Sequence, residues 1–263
     1  MRINHNIAAM VGHGSLYRVN RDMSKSLERL STGLRINRSA DDAAGLGVSE
    51  NLRTQVRGTA QARRNAMDGI SAINIAEGAA SEIHDTLQRM RELAIQSAND
   101  TLTSTERGYT NQEYQALINE VERIADVTNF NNMKLIADVS GGASVRFGTG
   151  SVGSALWIDA NNTYGQDSIT ITVDTLTTST SGLSIAGSVL TTQSASVTSI
   201  GTLDNAIGSV NTMRSNLGAV VNRLEHAISN LSVSNTNQQA AESMIRDVDF
   251  ADETTKFTRN QIL

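Results

Sequence analysis

The longest feature of the sequence is a stretch without proline, from residue 43 to residue 99, in which apolar and small residues repeat at helical spacing. The repeated positions are Leu52, Val56, Ala66, Ile70, Ile73, Ala76, Ala80, Ile83, Leu87, Met90 and Ala94. From Ala66 onward the steps are three or four residues, close to the average of 3.5 found in helices that pack lengthwise on other helices. The stretch therefore predicts one helix of roughly 85 Å, at about 1.5 Å per residue, which needs partner helices.

Two further helices are predicted, one near the N-terminus and one directly after the long helix. Residues 3–33 form a first helix with an apolar stripe, and Gly33 stands where a C-terminal glycine belongs. The stripe consists of Leu16, Val19, Met23, Leu27 and Leu30. Asp41 or Asp42 is predicted to cap the long helix. A third helix runs to about Thr128, and either 103–106 or 110–113 provides its capping box.

The remaining helices are predicted at the C-terminal end. Apolar steps of three and four residues return at Leu203 and continue to Leu231, which predicts a fourth helix that bundles with the second and third. We expect eight residues in shared contact in that bundle: Ile70, Ile73, Leu87, Leu117, Val121, Leu217, Leu224 and Ile228. Residues 246–251 form a polar break, and a last helix begins near Asp252. This last helix looks cut short at Leu263, and we expect residues 1–40 and 250–263 to be disordered in the free monomer.

Between the helical ends lies a polar section rich in Ser, Thr and Gly. Asn131 and Asn132 form a turn signal, and residues 144–147, 156–159 and 169–173 alternate as strands do. We expect this section to be β-rich and exposed. The fold class is therefore mainly α: an elongated antiparallel helical bundle or coiled coil from both chain ends, with a small β-rich insertion in the middle.

Composition and charge exclude several functions. A net charge of −5 and a pI near 5.4 argue against nucleic acid as a principal partner. With no cysteine, thiolate catalysis and zinc–thiolate sites are excluded. The four histidines are scattered and match no catalytic motif, so we expect no enzyme, no metal and no cofactor. Neither a signal peptide nor a membrane-spanning window is found, so we expect no membrane insertion.

Several motifs closely resemble the signatures of bacterial flagellins. On the N-terminal side these are MRINHN (1–6), LSTGLRIN (30–37) followed by DDAAGL (41–46), RMRELAIQSAN (89–99) and FNNMKL (130–135). On the C-terminal side they are NLGAVVNRL (216–224) and RDVDFA (246–251). Because they occur in the family's order and cover both helical ends, the resemblance is highly specific. The middle section matches no named family.

The resemblance implies a structural subunit of the flagellar filament. Residues 1–45 with 248–263 would form the inner terminal-helix core, 46–130 with 200–247 a surrounding helical bundle, and 131–199 a variable outer section. The protein would be extracellular, exported through the flagellum's own secretion system. The partners implied are further copies of itself, hook-associated and cap proteins, an export chaperone and the host's flagellin-sensing Toll-like receptor.

The resemblance also assigns interaction residues. Receptor and subunit contacts carry over to Gln88, Arg89, Leu93, Gln96 and Glu113, whereas the plain interpretation of 88–96 is an amphipathic, solvated turn. The apolar stripe of the first helix, Leu16 to Leu30, would serve terminal-helix assembly. Two alternatives stay open: the related hook–filament junction protein, and a coiled-coil binding module that would need an anchor or a signal peptide.

Overall fold

The computed structural model describes residues 6–137, 154–161, 167–179 and 182–263. Five helices in these ranges contain most of the described chain. They are α1 (Ile7–Thr32), α2 (Ala43–Ala98), α3 (Ser104–Val127), α4 (Gln193–Arg246) and α5 (Phe250–Ile262). The mainly helical class and the order of its elements are therefore confirmed.

The helix ends follow local chemistry that the sequence contains. Gly33 ends α1 in the left-handed conformation, with φ of 72°, which glycine adopts at little cost. The Asp42 carboxylate accepts the Gly45 backbone N–H at 2.8 Å and so caps α2. Thr103 and Glu106 form the capping box of α3, which leaves the alternative at 110–113 inside that helix. Asp249 caps α5 through the N–H groups of residues 251 and 252.

Two short antiparallel hairpins make up the described strands. β1 (Asn129–Phe130) pairs with β2 (Met133–Lys134), and the connecting residues Asn131 and Asn132 have φ of 49° and 61°. Two positive φ values in succession are what a tight hairpin turn requires, and asparagine tolerates them. β3 (Ser154–Trp157) pairs with β4 (Ser168–Ile171). The strand predicted at residues 144–147 lies outside the described residues.

The chain divides into two compact units: one contains the residues up to Ala60 together with Ser232–Leu263, and the other contains Gln61–Leu231. In the second unit, one hydrophobic cluster joins α2, α3 and α4. The shared contact predicted for eight apolar residues of α2, α3 and α4 is confirmed. Five of the eight are buried in this cluster, and the other three are partly buried and pack against it. The buried five are Ile73, Leu87, Val121, Leu217 and Leu224.

The polar middle section contributes to this core, and the expectation that it is exposed was wrong. Ile171, Leu176, Ile185 and Leu190 are all buried in the same cluster. Isolated apolar residues among Ser and Thr carry no periodic signal, so spacing alone did not detect them. Gly69 on α2 leaves room for the side chain of Leu156 from β3.

Side chains from the helices hold the extended segment 188–190 in place. Ser97 of α2 donates to the Leu190 carbonyl at 2.9 Å, and Asn111 of α3 accepts the Leu190 N–H at 2.9 Å. Gln115 donates to the Ser188 carbonyl at 2.9 Å. Helix α4 begins at Gln193, ten residues before the predicted Leu203. The buried residues of its first turns include Ser196 and Ser199. Because serine is polar, the apolar spacing did not predict that the helix begins here.

In the other unit, the connectors after α1 and α4 are joined to each other. The Arg35 N–H donates to the Arg246 carbonyl at 2.7 Å, and the Val248 N–H donates to the Gly33 carbonyl at 3.0 Å. Lys25 lies 2.6 Å from Asp41, and this ion pair holds the pKa of the Asp41 carboxyl below its usual range. Together these contacts fix the end of α1 against the end of α4 and the start of α2.

The expectation of disordered ends is not met by the described residues of those ends. Helices α1 and α5 are both formed, and they pack against each other. Even a helix of 13 residues has a partner here, and tertiary contact stabilises helices that would be marginal alone.

Candidate interaction surfaces

The first candidate surface is the apolar stripe of α1, which the single chain covers only in part. Leu16 is 58% exposed and Leu27 is 57% exposed, while Val19, Met23 and Leu30 are half-buried. Ser26 is the only buried residue of this helix among those described. Large apolar side chains that stay exposed along a helix are typical of a surface that another chain covers.

A buried ion pair joins α1 to α5 beside this stripe. The Arg29 guanidinium lies 3.7 Å from the carboxylate of Glu253, which is only 4% exposed. Lys256, one turn further along α5, lies 3.8 Å from the same carboxylate. Because an unpaired buried carboxylate is costly, this contact favours one alignment of the two helices.

The second candidate surface lies on the exposed sides of α2 and α3. Arg89 of α2 approaches Glu113 of α3 with Nη2–Oε1 and Nε–Oε1 distances of 2.9 and 3.2 Å. Its other amino group lies 3.0 Å from Glu92. The two carboxylates, Glu113 first, raise the pKa of Arg89 above its usual range. The capping box at Thr103 sets where α3 begins, and so places Glu113 opposite Arg89.

Of the five residues assigned to this surface, four lie on it. Gln88, Arg89, Gln96 and Glu113 are exposed, and the Gln88 amide lies 2.8 Å from the His84 ring. Leu93 does not lie on it: its side chain is 2% exposed and belongs to the core of α2, α3 and α4. The assignment of Leu93 as a partner-facing residue is therefore corrected to a core position beneath the surface.

Two arginines that the sequence reasoning missed hold the bundle around this surface. Arg91 lies 2.7 Å from Asp204 of α4, so neighbouring arginines of α2 reach different helices. Arg107 of α3 donates to the carbonyls of Ser97 and Asn99, both at 2.9 Å, at the end of α2. Arg107 lies within α3, so spacing along the sequence gave no signal for its contact with the end of α2.

Two further features of the described residues concern metal sites and membrane spans. Within them, no group of three or more His, Asp or Glu side chains is arranged to hold a metal ion. In the same part of the chain, no helix is both long enough and apolar enough to cross a bilayer.

Comparison with known proteins decides the family. The family model for the bacterial flagellin N-terminal helical region matches residues 3–140, and the model for the C-terminal helical region matches residues 200–263. The chain belongs to the bacterial flagellin family. Flagellins are structural proteins, so this flagellin is a subunit of the flagellar filament and assembles with further copies of itself.

Flagellins from other bacteria align with the whole length of this chain. A flagellin from Halalkalibacterium halodurans is 44% identical over 263 residues, and flagellin FlaB2 from Treponema pallidum is 42% identical over 267 residues. Both alignments cover 100% of this chain and 92% of the relative. The crystal structure of Bacillus cereus flagellin is similar to this fold with a TM-score of 0.50 and 29% identity, covering 68% of this chain and 94% of that one.

Replacing the Leu93 side chain with a smaller one tests whether this residue lies in the core. We expect Leu93→Ala to lower the free energy of unfolding by about 2–5 kcal/mol, because it leaves a cavity in a packed core. The matched control Gln96→Ala, one turn away on the exposed side, should change it by no more than about 0.5 kcal/mol. Urea unfolding followed by circular dichroism measures both. If Leu93→Ala lowers the free energy of unfolding no more than Gln96→Ala does, then Leu93 is not a core residue.

Proposed function

We propose that this flagellin polymerises through the apolar stripe of α1 after export by the flagellar secretion system. The observation that carries the proposal is the exposure of Leu16 and Leu27 on a helix that α5 covers only in part. Burying exposed apolar side chains is the main favourable contribution in most protein association, so these residues should drive contact between copies. The terminal segments 1–45 and 248–263 would then form the inner layer of the filament.

The same proposal assigns the other segments and partners. Residues 46–130 with 200–247 would form the tube around the terminal helices, and 131–199 would lie toward its outside. An export chaperone would bind the subunit before secretion, while hook-associated and cap proteins would meet the two ends of the filament. The family membership of the chain supports these assignments.

Polar substitution of the stripe tests the assembly proposal. We expect Leu16→Ser with Leu27→Ser to abolish elongation from filament seeds, because the buried contact between copies loses apolar area. The control is Ser24→Ala, a change at an exposed polar position of the same helix. Light scattering and electron microscopy measure elongation. Elongation of the double variant at the control's rate would contradict the proposed role of α1.

We also propose that the exposed α2–α3 surface is a ligand for the flagellin-sensing Toll-like receptor of animal hosts. The surface combines a guanidinium held by Glu113 and Glu92 with the amides of Gln88 and Gln96. Arginine is enriched among the residues that dominate binding energy in interfaces, and Arg89 is held in one geometry by two carboxylates. The resemblance to flagellins assigns the receptor contact to these positions.

Removing the guanidinium tests the receptor proposal. We expect Arg89→Ala to weaken signalling in receptor reporter cells by at least about tenfold, since an interface arginine of this kind is a binding hot spot. The matched control is Arg123→Ala, an exposed α3 arginine that pairs with Glu120 away from this surface. Circular dichroism of both variants checks that they keep their helices. If signalling by the two variants is the same, Arg89 is not a receptor contact.

A further inference from the structure

Helix α3 carries a row of polar side chains that bind the backbone of the middle section. The row consists of Asn111, Gln115 and Glu122, and we call it the α3 docking row. At 3.6 residues per turn, the three side chains lie within about 40° of one another on one side of the helix. All three are half-buried, and each makes a hydrogen bond to a backbone group between residues 178 and 190.

The docking row binds the middle section at two places. Asn111 and Gln115 bind the segment 188–190 through its backbone, as described above. One helical turn or more further along α3, the Glu122 carboxylate accepts both the N–H and the hydroxyl of Thr178, each at 2.7 Å. Because an unpaired polar group in a part-buried position is costly, these bonds resist any movement that separates α3 from the middle section.

Glu113, which belongs to the exposed α2–α3 surface, lies on the opposite side of α3 from the docking row. It is two residues from Asn111 and from Gln115, and nine residues from Glu122. At about 100° per residue, these separations place Glu113 about 160–180° around the helix from the row. The buried face of α3 lies between the two sides. A roll of α3 about its axis therefore moves Glu113 and the docking row together.

The ion pair between Arg89 and Glu113 is too weak to set the rotation of α3 by itself. The two side chains are 51% and 48% exposed, and exposed ion pairs contribute little to stability. The apolar contacts of α3 are non-directional, so they place the helix without selecting the direction of a polar side chain. The hydrogen bonds of the docking row are directional and part-buried, which suits them to hold one rotation.

We propose that the α3 docking row positions Glu113 against Arg89, so that the middle section supports the α2–α3 surface from the far side of α3. A roll that withdrew Glu113 from Arg89 would also break the bonds to Thr178 and to the segment 188–190. The inference rests on the receptor function proposed for this surface. It adds three positioning residues, which lie on the side of α3 away from the receptor contact.

Substitution of Asn111 tests this role. We expect Asn111→Leu, which is similar in size but has no acceptor, to lower the protection of the Arg89 Nε–H against hydrogen exchange at least about twofold, because its bond to Glu113 opens more often. Asn111→Asp keeps an acceptor and should keep the protection. The matched control is Asn119→Leu, the same change at an exposed position of α3. NMR measures the exchange, with the signal assigned by its loss in Arg89→Lys. Protection in Asn111→Leu equal to that of the control would overturn the proposal.

A change in the middle section separates positioning from damage to α3 itself. Thr178→Val removes the hydroxyl that donates to Glu122, and it leaves every residue of α3 in place. We expect this variant to lower the protection of the Arg89 Nε–H as well, although less than Asn111→Leu does, because the N–H of residue 178 still binds Glu122. Circular dichroism checks the helix content of both variants. Unchanged protection in Thr178→Val would contradict the proposal even if Asn111→Leu disturbs the fold.

Signalling in receptor reporter cells distinguishes this inference from the receptor proposal. We expect Asn111→Leu to weaken signalling and Asn111→Asp to retain it. If Arg89→Ala signals normally while Asn111→Leu lowers the Arg89 protection, the receptor proposal fails and the positioning role stands. If Arg89→Ala weakens signalling while Asn111→Leu leaves the protection unchanged, the positioning role fails alone.

Discussion

The structure depends on one constraint: helix α2 is too long and too narrow in its apolar pattern to be buried by a single globular core. Its inward row, from Ala66 to Ala94, is made of alanines, isoleucines, a leucine and a methionine, and it packs on α3 and α4 within the unit 61–231. Aromatic residues are only 3% of the chain, so few large side chains widen the core. The sides of α2 that stay exposed in the single chain face solvent, and in a polymer they have further copies beside them.

Polar contacts decide how the helices are placed once the seam has brought them together. Arg89 and Arg91, two residues apart on α2, point to different helices and hold Glu113 and Asp204. Arg107 binds the carbonyls at the end of α2, and Ser97, Asn111 and Gln115 hold the segment 188–190 across α2 and α3. The exposed pairs contribute little stability individually, so their main effect is on geometry. The candidate receptor surface is a product of that geometry.

The sequence predicted the features that have a repeating or local signal, and it did not predict burial that depends on tertiary contacts alone. The seam residues from Ile73 to Leu224, the Gly33 end of α1 and the Asn131–Asn132 turn were all predictable, because each has a local or repeating signal. The burial of Ile171, Leu176 and Ile185 was not predictable, since isolated apolar residues in a polar segment become core only through tertiary contact. Leu93 was assigned to the surface by resemblance, although its spacing from Leu87 and Met90 placed it near the buried row.

Methionine oxidation tests the central claim most directly, since it compares the buried core around α2 with exposed positions on α1 and α2 in one experiment. Met90 and Met213 are buried in the free chain, whereas Met10 on α1 and Met67 on α2 are exposed. Oxidation of a methionine follows its exposure, and mass spectrometry reads each site separately. The account predicts fast oxidation of Met10 and Met67 in the monomer, strong protection of Met10 in the filament, and slow oxidation of Met90 and Met213 in both states. Equal oxidation of Met10 in monomer and filament, or fast oxidation of Met90 in the monomer, would contradict it.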